Sequence, residues 1–289
     1  MTMRETLRPY AGLCKARIAF LASLTAAAGF LLAGGPAAAA AAPVAGVFLL
    51  ACGACALNQW QERETDARMA RTAARPIPSG RVRPAAALRF SWLLIASGGA
   101  LLLLADSREA PLLGFAALFW YNGVYTPLKS RSAFAAIPGA LTGAIPPAVG
   151  WTAAGGGLCD PPLAALCFFF FMWQVPHSFA HLAAFGKEYA SIGLPSLTAV
   201  FTVRQLYRLT FQWLLAAAVR LQLIAAGGLV VTFPVRAALL AASLWLAAAG
   251  IRLLKKEEPG FPGLFRGINN FMLVVLLLIH ADAVPRYFA

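Results

Sequence analysis

Acidic residues are scarce in this chain: 11 Asp and Glu stand against 24 Lys and Arg, and only three His are present. Charged residues make up 12% of the 289 positions, about half the share carried by a soluble domain. That shortage excludes a surface kept in water by mixed charge. Cysteine is also sparse, at five positions: Cys14, Cys52, Cys55, Cys159 and Cys167. Cys52 and Cys55 form a C-x-x-C, but it lies inside the apolar run from Val44 to Leu57 and reads as two small residues packing in a membrane helix. No cleavable signal peptide is evident. Arg4, Arg8, Lys15 and Arg17 precede an apolar run that leads straight into a second one without a clear cleavage site.

What the chain has in abundance is apolar sequence, 60% of it, with a mean hydropathy of +0.72. Runs long enough to cross a bilayer fall at about 18–34, 37–57, 85–105, 111–127, 133–153, 162–180, 207–230, 234–254 and 267–285. The expected fold is therefore an all-α polytopic membrane protein with about nine transmembrane helices, forming a single domain over residues 1–289. The net charge of +13 does not point to nucleic acid, because the basic residues sit between apolar runs. Counted on alternate sides with the N-terminus inside, 20 Lys and Arg lie inside and three outside (Arg108, Arg236 and Arg286). That bias predicts a bacterial inner-membrane protein with a cytoplasmic N-terminus. Arg220 falls within the seventh run, where a guanidinium is costly unless it is paired or near a helix end.

Polar residues with chemical potential gather in three loops on the basic side. Asn58, Glu62 and Asp66 follow the second run at i, i+4, i+8, which puts an amide and two carboxylates on one helical face. Such oxygens suit Mg²⁺, which binds one or two carboxylates together with substrate phosphates. Arg68, Arg71 and Arg75 follow, and the last two, four apart, could fork onto phosphate oxygens. Taken alone, the arginines read equally well as topology signals. Tyr125 and Lys129 end the fourth run, and on residues alone they too read as an interfacial aromatic and a topology lysine. His177 and His181, with Trp173 nearby, lie at the end of the sixth run, followed by Lys187 and Glu188. A histidine pair at a membrane edge can serve haem iron, carboxylates or diphosphate, or can be structural.

The series N-x-x-x-E-x-x-x-D over Asn58–Asp66, continued as M-A-R-T-A-A-R-P over Met69–Pro76, resembles the first Asp-rich motif of the UbiA superfamily of intramembrane prenyltransferases. The continuation is similar to that of the superfamily's haem-directed branch. So are Y-T-P-L-K-S-R (Tyr125–Arg131), G-A-I-P-P-A-V-G-W (Gly143–Trp151), W-Q-V-P-H (Trp173–His177) and K-E-Y (Lys187–Tyr189). The stretch from Phe265 to Phe271 is a weaker match. Three positions depart from the pattern: Glu62 and Glu188 replace Asp, and Ser178 replaces Phe. Quinone- and chlorophyll-directed members carry a second D-x-x-x-D in the third loop, and this chain has only Glu188 between residues 161 and 256.

The resemblance implies a UbiA-type helical bundle with cytoplasmic active-site loops. It implies transfer of a farnesyl group from farnesyl diphosphate to haem B, with Mg²⁺ as cofactor. The catalytic set would be Asn58, Glu62, Asp66, Tyr125 and Lys129. Asn58, Glu62, Asp66 and Glu188 would hold the metal, and Arg71, Arg75, Lys129 and Lys187 the diphosphate. His177, His181 and Trp173 would contact haem. Haem A synthase or a terminal oxidase assembly is the implied partner, beside the lipid bilayer. Two other readings stay open: a prenyltransferase acting on a quinone precursor or another aromatic acceptor, and a transporter.

Overall fold

The structure, a computed structural model, describes residues 3–254 and 260–283, all of whose regular elements are helices. Helix α1 (Met3–Cys14) bends by 48° into α2 (Ala16–Leu32), and a 3-10 turn leads into α3 (Ala41–Gln61). Two short helices, α4 (Arg63–Arg68) and α5 (Ala70–Ala73), form the polar loop before α6 (Pro84–Leu102). Helix α7 (Glu109–Phe119) runs into a π-helical turn over Trp120–Tyr125 and then α8 (Thr126–Leu128); α9 (Ala136–Gly139) precedes α10 (Leu141–Ala153). The remaining helices are α11 (Pro161–Ala184), α12 (Gly186–Ser191), α13 (Leu197–Val200), α14 (Val203–Ala226), α15 (Phe233–Leu254) and α16 (Phe261–Ala283).

Local sequence explains where the helices start. Pro84 and Pro161 open α6 and α11 behind extended Arg83 and Asp160, positions where a missing N–H costs nothing. A capping box between Thr202 and Gln205 starts α14. Small residues set the helix spacing: a methyl added at Gly150 of α10 would run into the Ala26 carbonyl oxygen of α2, and one at Gly29 into that of Pro147. Forcing a side chain into such a contact typically costs about 1–3 kcal/mol. Helix α3 packs on α6, α2 on α10, and α11 on α14. One large core joins α11, α14 and α16 around Phe169, Phe170, Phe179, Phe261 and Phe271. A smaller one, of Leu13, Ala56, Ile77, Val82 and Ala87, holds the loop between α5 and α6 against the ends of α1 and α3.

Six helices among the described residues are long and apolar enough to cross a bilayer, and the bent α1–α2 pair makes a seventh. This is a multi-span membrane protein, but the count differs from the nine crossings expected from sequence. The expected runs at 111–127 and 133–153 are not among these seven. Helix α7 continues through the π-turn and α8 to Leu128, whereas α10 has 13 residues, about 20 Å of rise against a hydrocarbon core of about 30 Å. The π-turn distorts the first run without ending it; Pro138 and Gly139 lie at the break in the second. Cys52 and Cys55 are buried free thiols. Lys255, Lys256 and Arg286, which enter the charge count, lie outside the described residues, as do residues 284 and 285 of the last expected run.

Candidate active site

The apolar stripe of α3 ends in two buried amides. Gln59 donates through Nε2 to the carbonyl oxygens of Gly12 and Leu13, at 3.1 and 2.9 Å, which ties the end of α1 to α3. Asn58 donates through Nδ2 to Thr126 Oγ1 at 3.0 Å, and Oδ1 takes no partner among the described residues. Glu62 leaves ideal helical geometry, yet the i, i+4 steps persist across it. Its N–H donates to Asn58 O at 2.9 Å, and that of Asp66 donates to Glu62 O at 2.7 Å. Asn58, Glu62 and Asp66 thus follow one another along a continuous, slightly distorted helical path.

Each carboxylate here meets a cation. Asp66, 1% exposed, lies 2.6 Å from Arg75 Nη1, and Thr72 Oγ1 donates to its carbonyl oxygen. Glu62 Oε1 lies 2.5 Å from Lys129 Nζ. Glu188 accepts from the backbone N–H of Arg71 at 2.8 Å and faces its Nε at 3.5 Å. Arg68 donates to the Ile192 carbonyl oxygen, so the loop after α3 and the loop after α11 are joined at two points. Lys187 stays exposed and forms no ion pair with a described residue. No cluster of three or more His, Cys, Asp or Glu side chains that could hold a metal occurs among the described residues. Two carboxylates with the Asn58 amide oxygen instead fit a hard cation that keeps waters or shares a ligand's phosphate oxygens, as Mg²⁺ does.

The π-turn aims the second loop at this network. Thr126 N–H reaches back five residues to the Tyr121 carbonyl oxygen, and its hydroxyl donates to the same atom. Asn122 and Gln61 hold the turn to α3: Gln61 Nε2 donates to Asn122 O at 3.0 Å, while Asn122 Nδ2 donates to Gln61 Oε1 and Ala54 O. Beyond it, Lys129 Nζ lies 5.1 Å above the Tyr125 ring. A small cavity of about 20 Å³ opens here, lined among others by Tyr125, Lys129, Ala136, Leu182 and Tyr189. Burial pushes the Tyr189 phenol above its ordinary range, against the pull of Lys129 and Arg71, so it stays protonated at neutral pH.

The histidines sit in an aromatic series beside the ion pairs. His177 stacks between Trp173 and Phe265 at centroid distances of 4.9 and 4.8 Å. His181 contacts Phe265 and Phe185 at 5.3 and 5.0 Å. The Arg71 guanidinium lies 4.5 Å over the Phe185 ring, which closes the series onto the carboxylate–cation network. Trp173 Nε1 donates to the Ile268 carbonyl oxygen, and the buried His177 Nδ1 has no hydrogen-bond partner among the described residues.

The structure therefore brings together Asn58, Glu62, Asp66, Arg71, Arg75, Tyr125, Lys129 and Glu188, with Trp173, His177 and His181 adjoining through Phe185 and Phe265. Sequence reasoning assigned no role to Gln61, Asn122, Thr126, Tyr189 or Phe265, although the Tyr189 and Phe265 stretches were visible. It also passed over Lys15, the one described non-glycine residue with positive φ (45°), at the α1–α2 bend. Lys15 is within electrostatic reach of Glu62, Arg75 and Lys129. A lysine ahead of an apolar run carries no signal beyond topology.

The UbiA prenyltransferase family model matches residues 22–267. The protoheme IX farnesyltransferase of Oleidesulfovibrio alaskensis is 37% identical over 281 residues, covering 96% of each chain. That of Geobacter sulfurreducens is 38% identical over 280 residues, covering 92% of this chain and 97% of its own. A solved UbiA homolog from Archaeoglobus fulgidus, bound to GPP and Mg2+, superposes with a TM-score of 0.70 at 14% identity over 99% of both chains. The same fold, a match over most of the length and close relatives lead to one conclusion: the chain belongs to the UbiA prenyltransferase family.

Proposed function

We propose that this protein transfers the farnesyl group of farnesyl diphosphate to a vinyl group of haem B, giving haem O and pyrophosphate. The observation that carries the reading is the set of carboxylate–cation pairs, Glu62–Lys129, Asp66–Arg75 and Glu188–Arg71, at the end of α3. Such pairs can exchange partners with a metal diphosphate, carboxylates going to the metal and cations to phosphate oxygens. The donor and acceptor are supported by the relatives named protoheme IX farnesyltransferase, matched over nearly the whole chain. Family membership sets aside the transporter alternative.

Asn58, Glu62 and Asp66 hold the metal, with Glu188 on the facing loop. Mg²⁺, when bound, supplies positive charge to the leaving diphosphate. Arg71, Arg75, Lys129 and Lys187 bind the diphosphate oxygens, and their charge stabilises the leaving group as the C–O electron pair departs with it. The vinyl π pair forms the new C–C bond, and a water oxygen adds to the resulting cation and releases a proton. Tyr125 lies at the cavity beside Lys129, positioned to orient the diphosphate and to keep water from the farnesyl cation. Trp173, His177 and His181 form the haem-facing wall. The polar loops and the N-terminus lie on the cytoplasmic side of a bacterial inner membrane, within one transmembrane domain over 1–289, as the lysine and arginine bias supports. Haem A synthase or a terminal oxidase assembly takes the product.

Membranes carrying the protein, incubated with haem B, farnesyl diphosphate and Mg²⁺, are expected to form a species with the mass of haem O. Prenylation of an aromatic acceptor such as a hydroxybenzoate, with no haem O, would move the assignment to the quinone-directed enzymes.

A further inference from the structure

Arg220 is the basic residue that the membrane topology leaves unexplained. It lies six residues before the end of α14 at Ala226, about 9 Å along the axis. Its side chain crosses to α11, where Nε donates to the Ala165 carbonyl oxygen at 3.4 Å and the guanidinium carbon lies 5.5 Å over the Phe168 ring. Ala165 is one turn from the start of α11 at Pro161, so the charge is held near the helix ends. Among the described residues no carboxylate pairs with it, and neither Nη atom takes a hydrogen-bond partner. A guanidinium has five donors in a planar fork, and here most remain to be satisfied.

Beside it a groove of about 480 Å³ opens between α11 and α14. Phe168, Met172, Leu215, Val219 and Leu223 line it, with Gln212 at the far end. Phe168, Leu215, Val219 and Leu223 are exposed hydrophobic residues. From Gln212 to Leu223 the helix rises about 16 Å, close to the roughly 15 Å depth of one leaflet's hydrocarbon. Phe168 lies roughly 20 Å along α11 from His181, so the groove occupies the leaflet opposite the candidate active site and is separate from it.

We propose that this groove binds an anionic phospholipid of that leaflet, with its phosphate on Arg220 and an acyl chain along Val219, Leu215 and Met172. The site has the polarity of such a molecule: a lone cation near the helix ends and an apolar channel running inward from it. A soluble anion would gain nothing from the apolar walls. A neutral isoprenoid would leave the guanidinium without a counter-charge, which is expensive at the hydrocarbon boundary. Phosphate oxygens match the guanidinium fork, and the bilayer supplies the ligand at high local concentration.

The test is native mass spectrometry of the full chain released from nanodiscs containing equal phosphatidylglycerol and phosphatidylcholine. The parent is expected to retain phosphatidylglycerol several-fold more than phosphatidylcholine. Arg220→Gln is expected to abolish that preference, and Val219→Trp, which keeps the charge and fills the groove, to abolish the retained lipid. Circular dichroism confirms folding of each variant; if Arg220→Gln fails to fold, Val219→Trp decides. A parent without lipid preference, or a folded variant that retains phosphatidylglycerol as the parent does, overturns the proposal. So does Val219→Trp turning a dimer into a monomer with no loss of lipid, since a second copy would then be the occupant.

Discussion

Lys129 Nζ lies 2.5 Å from Glu62 Oε1, although the two residues belong to different loops and are joined only through the π-turn and the end of α3. The pair makes Lys129 the cation nearest a proposed metal ligand. Replacing it with Ala removes a fixed charge from the leaving diphosphate. Haem O formation at saturating substrate is expected to fall by roughly 100-fold or more, the usual effect of losing one such donor. Lys129→Arg is expected to recover part of the rate. Product mass against time reads both.

Asp66 and Arg75 form a second pair in which the carboxylate is almost fully buried. Arg75→Ala leaves that charge without a partner, a change that costs about 3–5 kcal/mol in buried pairs. Its thermal midpoint in detergent is expected to fall clearly below that of the parent, while Arg75→Lys loses much less. Differential scanning fluorimetry distinguishes the two.

Asn122 touches neither proposed substrate but fixes the register of the π-turn through Gln61 and Ala54. Asn122→Ala is expected to lower kcat while leaving helix content unchanged. Misplacement of a reactive group by about 1 Å can cost on the order of 100-fold. Gln61→Ala should repeat the defect, and the double variant should be no worse than either single one. Fully additive losses would mean that the two amides act separately.

Lys15 combines a left-handed backbone with a position within electrostatic reach of Glu62, Arg75 and Lys129. Lys15→Ala removes the charge and keeps the left-handed strain that the lysine already carries, whereas Lys15→Gly removes the charge and also relieves about 1–2 kcal/mol of that strain. Both are expected to raise KM for farnesyl diphosphate, and only the glycine variant to gain thermal stability. Steady-state kinetics and melting curves on the same samples separate charge from conformation.

The parts of this molecule that can be read from sequence are those with local periodicity. Asn58, Glu62 and Asp66 are spaced by helical turns, so their alignment is expected before any tertiary structure is known, and the helical path holds even through Glu62. Most long helices likewise announce themselves by apolar length. Where the reading fails, non-local geometry decides. The runs at 111–127 and 133–153 are apolar enough for a helix each, but nothing in their composition shows the π-turn in the first or the break at Pro138 and Gly139 in the second. The Arg71–Glu188 contact and the Phe265 ring between two histidines join residues far apart in the chain. No spacing rule encodes such pairings, nor the left-handed backbone and the charged neighbours that set Lys15 apart from a topology lysine.

The most direct test compares haem O formation by the parent and Asp66→Ala in the same membranes, with haem B, farnesyl diphosphate and Mg²⁺. Circular dichroism checks that both proteins are folded. The proposed reaction requires haem O from the parent and no more than a trace from the variant. A folded Asp66→Ala protein that makes haem O at the parent rate would contradict the metal–diphosphate site at the end of α3.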